Sequence, residues 1–180
     1  MIEVPKNDPV EIVNTSKEDA KMIDFLFNEA MKLNAKKGYR TWEILDRSAL
    51  QKDMDNKLQY KVITGKVILC IFSIQYRDPF IWRDRDQTPG IYLHRIVANP
   101  NFKGQRLFEK VLTWAKKHAR ENKISVIRMD TWAENKRIIE YYTSYGFEFL
   151  ENYTTSNTPE LPVQNRNLRV ALLELKLQEL

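Results

Sequence analysis

Residues 91–132 constrain the fold more than any other stretch, because the hydrophobic pattern changes there from strand to helix and back to strand. IYLHRIVAN (91–99) and SVIRMDTW (125–132) are rich in the β-branched and apolar residues of central strands. Between them an apolar stripe predicts a helix that ends near Asn122; its members are Phe108, Val111, Leu112, Ala115 and Ala119. This order predicts a right-handed parallel crossover. Ligands in such units bind where the first strand ends, here at the turn after Asn99.

The chain before this segment begins with a strand and a helix. VEIVN (10–14) predicts the strand, and Thr15 with Glu18 fits a T-x-x-E capping box, which predicts that a helix follows. Apolar residues at helical spacing continue to about residue 35, and Gly38 ends the pattern.

The remaining elements follow from the same two periodicities. They are a surface helix from Trp42 to about Lys57, strands at 60–64 and 67–76, a charged surface loop at 77–90, a helix at 135–146, and strands at 147–153 and 167–177 separated by a polar loop at 154–165. Strands and helices in this order predict an α/β or α+β fold. We expect a mixed, mostly antiparallel twisted sheet of about six to seven strands with helices on both faces.

Composition limits the setting and the number of domains. With 180 residues, 43% of them hydrophobic, the chain suits one domain over residues 1–180. It contains no apolar run near the ~18 residues that a membrane helix needs, and its start lacks the apolar stretch of a secretory signal. The single cysteine, Cys70, lies in an apolar run and is expected to be buried. We therefore expect a reducing, cytoplasmic location.

Positive charge is concentrated in residues 101–124. Seven cations stand there against Glu109 and Glu121, within a chain of net charge +5; they are Lys103, Arg106, Lys110, Lys116, Lys117, Arg120 and Lys123. One interpretation is a solvated helix face. The other is attraction of an anionic ligand, either a phosphorylated small molecule or a nucleic acid.

Several kinds of chemistry lack their sequence patterns. The chain has two histidines, His94 and His118, and one cysteine, without the spacing of metal ligands, so no metal is predicted. It has no G-x-S-x-G nucleophile turn, no phosphate-binding P-loop and no G-x-G-x-x-G dinucleotide pattern.

The segment from Tyr92 to Phe149 resembles the GNAT superfamily of acyl-coenzyme A dependent N-acyltransferases. LHRIVANPNFKGQRLFEKVLTWA is similar to the strand, phosphate loop and helix of the family, and IRMDTWAENKRIIEYYTSYGFEF to its next strand, helix and strand. The most specific match is an Asn followed by Y-x-x-x-G-F, present here as Asn135 and Tyr142 to Phe147.

The resemblance implies that the loop after the first strand binds acetyl-CoA. The family signature there is Q/R-x-x-G-x-G/A, whose defining positions fall on Lys103, Arg106 and Phe108, with Gly104 just upstream. Arg106 either reaches the pyrophosphate with its guanidinium or fills the space where that group would lie. The implied coenzyme-binding residues are Ile96, Val97, Lys103, Gly104, Gln105, Arg106, Leu107 and Asn135.

The resemblance also implies catalytic roles. Tyr142 matches the tyrosine that protonates the departing thiolate, although it is alternatively a packed aromatic residue. His94 is the better candidate for the general base, the alternative being a structural histidine. Asn135 either contacts coenzyme or caps its helix.

Acceptor contacts are predicted for residues near these groups. Trp82, Tyr92 and Asp130 are the candidates, together with the polar loop at 154–165.

The predicted function is therefore acetyl transfer from acetyl-CoA to an amine by direct attack. The alternative is a catalytically inactive domain that binds coenzyme A or another anionic ligand as a sensor. Nucleic-acid binding through the basic helix is a weaker third interpretation. The expected partner is a small-molecule or peptide amine, not nucleic acid or a membrane, and the oligomeric state stays open with a homodimer as one option.

Overall fold

Strands form one mixed sheet in the computed structural model, which describes residues 9–42, 44–102 and 104–178. The strands are β1 (Val10–Asn14), β2 (Gln59–Thr64), β3 (Val67–Gln75), β4 (Ile91–Ala98), β5 (Val126–Trp132), β6 (Glu148–Thr154) and β7 (Arg169–Lys176). Their order is β1-β2-β3-β4-β5-β7-β6. The β4–β5 pair is parallel, as predicted, while the β1–β2, β2–β3, β5–β7 and β6–β7 pairs are antiparallel. The predicted mixed, mostly antiparallel sheet is confirmed.

Five helices accompany the sheet in the described residues. They are α1 (Ala20–Lys36), α2 (Arg47–Asp55), α3 (Pro79–Trp82), α4 (Leu107–Glu121) and α5 (Lys136–Thr143), with 3-10 turns at Lys17–Asp19, Arg83–Arg85 and Val163–Asn165. All five predicted stripe residues of α4 are buried. Within the described ranges, no helix has the length and apolar character needed to cross a membrane.

The chain forms two compact units. One combines Met1–Thr41, Arg47–Ser73 and Arg95–Trp114. Its core includes Leu26 and Phe27 of α1, and Cys70 of β3 is fully buried there, as predicted. Burial raises the pKa of the Cys70 thiol to about 12.

The second unit combines Trp42–Asp46, Ile74–His94 and Ala115–Leu180. Its apolar cluster brings α3 against β4 and β7; the members are Ile81, Trp82, Tyr92, Leu161, Leu168, Val170 and Leu172. Trp132, Leu150 and Tyr153 pack on this cluster.

The predicted capping box is wrong by one residue. The Ser16 N–H donates to Asp19 Oδ2 at 2.8 Å, so the box is formed by Ser16 and Asp19 instead of Thr15 and Glu18. The Thr15 hydroxyl is buried and donates to Gln59 Oε1 at 2.9 Å. A tertiary contact therefore engages the hydroxyl that the local pattern assigned to the helix.

The charged segment 77–90 is more than the predicted surface loop, because it contains α3. Pro79 occupies the start of this helix, and Asp78 Oδ1 accepts from the Ile81 N–H at 3.4 Å. Ile81 is 1% exposed and Trp82 is fully buried. Ile81 and Trp82 thus anchor this polar segment to the core, while the neighbouring Phe80 is 42% exposed.

Candidate active site

The parallel register of β4 and β5 aligns two polar side chains. Tyr92 lies opposite Arg128 in this pairing. Side chains two residues apart on a strand point to the same face, so His94 follows Tyr92 and Asp130 follows Arg128 on that face.

His94 lies between two carboxylates. Its Nε2 is 3.4 Å from Asp78 Oδ2, and its Nδ1 is 3.6 Å from Asp130 Oδ1. The three side chains are largely buried, with exposures of 12% for His94, 11% for Asp78 and 14% for Asp130. Each ring nitrogen therefore faces a carboxylate oxygen.

This arrangement suits proton transfer. The carboxylates facing the two ring nitrogens orient the imidazole and stabilise its protonated form, and the nitrogen that carries no proton in the neutral ring can take one up. Donor atoms of the three residues lie within 4.8 Å of one another, so the same group has the spacing to hold a metal ion.

A largely buried polar network lies on the same face of the sheet as His94. The Tyr92 hydroxyl donates to Asp86 Oδ1, and Arg77 Nε donates to Asp86 Oδ2 at 2.9 Å. Arg128 donates from Nη1 to the Tyr92 hydroxyl at 2.5 Å and from Nε to Glu174 Oε2 at 2.8 Å. These bonds hold Tyr92 and Arg128, which precede His94 on β4 and Asp130 on β5 by two residues each.

Burial determines the protonation of this network. Desolvation, followed by the hydrogen bond to Asp86, raises the pKa of Tyr92 well above its usual value, so its hydroxyl stays neutral. Burial alone would lower the pKa of Arg128, but its bonds to Glu174 and Tyr92 outweigh that effect and raise it. The guanidinium accordingly stays charged.

Two predicted acceptor residues are fully buried. The rings of Trp82 and Tyr92 meet edge to face at 5.6 Å between centroids, and both residues are 0% exposed. Of the three acceptor candidates, Asp130 is the one that the structure brings to His94.

Strand β4 changes conformation directly after His94. Arg95 has a left-handed backbone, with φ of 51°, and its guanidinium pairs with the buried Asp53. The described pairing of β4 with β5 covers Ile91–Leu93, while β4 itself extends to Ala98. In this second part of the strand Val97 is buried and Ile96 is partly exposed.

The loop after β4 is anchored at its start and exposed at its end. Asn99 is buried, and its side chain donates to the Ile68 carbonyl at 2.8 Å and accepts from the Asn101 N–H at 3.1 Å. Gly104, Gln105 and Arg106 are exposed. Lys103 lies outside the described residues.

Arg106 occupies a conformation that suits glycine. Its φ is 48°, and that of Gly104 is 77°, so both residues are in the left-handed region. The Arg106 side chain is 76% exposed, and its Nε lies 2.8 Å from Glu109 Oε2. Leu107 is buried as the first residue of α4.

The other predicted residues lie on α5. Asn135 is its N-cap, since its side-chain oxygen accepts from the Ile138 N–H at 3.2 Å. Tyr142 is partly buried, and its ring lies 5.5 Å from that of Tyr141. The capping role considered for Asn135 is thus confirmed, while contact with coenzyme stays a prediction.

Sequence reasoning missed Asp78, Asp86, Arg95 and Asn99. A local pattern existed for two of them, because Asp78-Pro79 is a typical helix start and Asn99-Pro100 a typical turn. Asp86 and Arg95 are set by their tertiary partners, Tyr92 and Asp53.

Comparison with known proteins agrees with this architecture. A profile of the Acetyltransferase (GNAT) family matches residues 28–147. The chain therefore belongs to the GNAT acetyltransferase family.

A search of individual proteins gives a partial match. "Uncharacterized N-acetyltransferase YesJ" of Bacillus subtilis (strain 168) is 33% identical over 73 residues, which cover 41% of this chain and 41% of that protein. The match thus spans well under two thirds of the relative's length.

Two solved structures have the same fold. A GNAT family acetyltransferase from Listeria monocytogenes 4b F2365 has a TM-score of 0.76 at 19% identity, covering 93% of this chain and 95% of that one. The putative acetyltransferase yncA from Salmonella typhimurium, solved with its cofactor acetyl-CoA, has a TM-score of 0.64 at 18% identity, covering 96% of each chain.

Proposed function

We propose that this protein transfers an acetyl group from acetyl-CoA to a primary amine by direct attack, with residues 1–180 acting as one acyltransferase domain. The observation that carries the proposal is the position of His94 between Asp78 and Asp130. His94 stands two residues before Ile96 on β4, and the resemblance to the family places the thioester near Ile96 and Val97.

In this proposal the loop after β4 binds the phosphates of acetyl-CoA, which supplies the activated acetyl group when bound. A Cβ added to Gly104 would meet nothing within 4 Å. The Arg106 side chain is exposed to solvent. This favours a guanidinium that reaches the pyrophosphate over one that fills the space where that group would lie. The phosphate-holding residues in this proposal are Gly104, Gln105, Arg106, Leu107 and Lys103, with the first N–H groups of α4.

Proton transfer is assigned to two side chains. His94 accepts the proton that the amine loses as its nitrogen bonds to the acetyl carbon, and Asp78 and Asp130 stabilise the resulting imidazolium. Tyr142 donates its proton to the thiolate released when the carbon–sulfur bond breaks. Trp82 and Tyr92 support this site from the core without contacting the acceptor.

The experiment combines coenzyme binding with acetyl transfer. Acetyl-CoA is expected to raise the melting temperature saturably, and Arg106→Glu to weaken that effect. With a panel of primary amines, His94→Gln is expected to lower kcat about 100-fold or more and to remove the acidic limb of the pH profile. Tyr142→Phe is expected to lower kcat while the acetyl-CoA shift is retained.

Matched controls separate catalysis from packing. Tyr141→Phe removes a hydroxyl from the exposed neighbour on α5 and should leave kcat unchanged. The assay is repeated with a chelator, since loss of activity there would instead assign Asp78, His94 and Asp130 to a metal ion. Absence of any melting shift with millimolar acetyl-CoA would refute the proposed function.

A further inference from the structure

The segment from Arg77 to Asp86 separates its charges between core and surface. Two of its three carboxylates turn inward, since the side chain of Asp86 is fully buried and that of Asp78 is 11% exposed, whereas Asp84 is exposed. Guanidiniums turn outward, with side-chain exposures of 53% for Arg77, 38% for Arg83 and 46% for Arg85. The exposed side chains of this segment thus include three guanidiniums and one carboxylate, although its sequence has three residues of each charge.

Two of these arginines share one carboxylate oxygen. Arg83 Nη2 lies 2.7 Å from Glu151 Oε1, and Arg85 Nε lies 3.0 Å from the same atom. Each guanidinium has five N–H donors, so one carboxylate leaves most of them without a protein acceptor in this trio. The trio carries one net positive charge, and the Glu151 side chain is 33% exposed.

The position of Arg83 is held by backbone and packing. Its φ is 52°, a left-handed conformation that is costly for a residue with a Cβ. Its guanidinium carbon lies 3.9 Å from the centre of the Tyr153 ring. Tyr153 packs on the apolar cluster around Trp82, so the stacked guanidinium is oriented before any ligand arrives.

The carboxylate partner is positioned by an irregularity in β6. The register with β7 shifts between Phe149 and Glu151, which makes Leu150 an extra residue on this strand. Glu151 and Tyr153 then lie two residues apart and share one face.

Helix α3 lies between these arginines and Asp78, the partner of the proposed base His94. α3 begins after Asp78, which lies against His94, and ends before Arg83. Its four residues span about 6 Å. Asp78 faces inward and Arg83 outward at the two ends of α3, so an acceptor that reaches both needs a chain of about 6 Å or more between its carboxylate and its amine.

We propose that Arg83 and Arg85 form an anion-binding subsite for a carboxylate on the acceptor, which takes the place of Glu151 between the two guanidiniums. This inference rests on the proposed acetyl transfer. It assigns the acceptor to the class of small amino acids, in which an amine and a carboxylate are joined by a short chain.

The test uses ω-amino acids from glycine to 6-aminohexanoate, each beside its primary amide as the neutral partner. Acetylation rates are compared per concentration of unprotonated amine, and binding is measured by calorimetry in the presence of coenzyme A. The acid of the best chain length is expected to exceed its amide about tenfold or more in kcat/KM.

Substitutions in the trio should act in opposite directions. Arg83→Gln and Arg85→Gln are each expected to lower kcat/KM for the acid about tenfold and to leave kcat/KM for the amide unchanged. Glu151→Gln removes the carboxylate that competes with the acceptor for the two guanidiniums, and it is expected to increase kcat/KM for the acid. Lys66→Gln, in the exposed turn between β2 and β3, removes one positive charge as the arginine variants do, and it should change kcat/KM for neither the acid nor the amide.

The outcomes separate this inference from the proposed function. Acids that bind with this arginine dependence but are not acetylated would support the subsite and refute the transfer. Amides acetylated as well as acids would support the transfer and refute the subsite. If Glu151→Gln lowers acid use as the arginine variants do, the trio is a structural brace and the inference fails. Acids that neither bind nor react also overturn it.

Discussion

Two regions of this protein handle charge in opposite ways. His94 lies between two largely buried carboxylates, and the buried guanidinium of Arg128 donates to Glu174 and Tyr92. In the loop at 104–106 the side chains are exposed, and the notable feature is backbone in the left-handed region.

The difference follows from what each region is proposed to do. Proton transfer needs side chains held to within a fraction of an ångström in a medium of low dielectric constant. Binding of a hydrated phosphate needs accessible N–H groups and cations near water. Substitutions near His94 should therefore act through buried partners, whereas those in the loop should act through backbone conformation.

The largest effect is expected from Arg128→Met. This change leaves Glu174 without its buried partner and takes a donor from Tyr92, which we expect to lower the free energy of unfolding by about 3 kcal/mol. Urea denaturation measures the loss.

The double variant Arg128→Met/Glu174→Leu is the control. Replacing both charges by apolar residues removes the unpaired carboxylate, so stability should partly return. A loss below about 1 kcal/mol in the single variant would contradict the contrast between a buried, coupled region and an exposed loop.

A smaller effect is expected for Gly104→Ala. Its φ is 77° and its Cβ would meet no atom within 4 Å, so the cost is backbone strain of about 1 kcal/mol. Gly38 has a similar φ and equally open space around its Cα, so Gly38→Ala should lower the free energy of unfolding by the same amount in urea denaturation. Only Gly104→Ala should also weaken acetyl-CoA binding, and equal affinities in the two variants would remove the loop from the binding site.

The smallest effect is expected at His118, a partly buried group between the two extremes. Its Nε2 lies 2.8 Å from the Tyr76 hydroxyl. Burial lowers its pKa, although the nearby Glu121 raises it slightly, so the folded state favours the neutral ring. The unfolded chain then binds more protons in acid, and stability is lost as the pH falls below about 6.5.

His118→Gln tests this sign. The variant should lose less stability than the unmodified protein when urea denaturation is repeated from about pH 7.5 to about pH 5.5. Equal losses would mean that the pKa of His118 is unchanged by folding.

Periodicity made the sheet and the long helices predictable. The apolar run of β3 and the stripe of α4 are local patterns, and both elements lie within a few residues of their predicted bounds. Local patterns failed where two matches competed: Thr15 with Glu18 and Ser16 with Asp19 both fit a capping box, and Gln59 decides between them.

The candidate site was less predictable because its geometry depends on long-range contacts. His94 and Asp130 were identified from strands that the sequence places side by side. Asp78 joins them through α3, whose apolar residues are hidden in a charged run. The left-handed backbone of Arg95 has no sequence pattern, since arginine seldom adopts it.

The burial of Cys70 makes site-specific labelling straightforward. Maleimides react with thiolates, and a fully buried thiol with a pKa of about 12 offers almost none at neutral pH. A cysteine introduced at an exposed position such as Lys66 would be labelled alone. Fluorescent reporters of coenzyme binding can thus be attached without first removing the native cysteine.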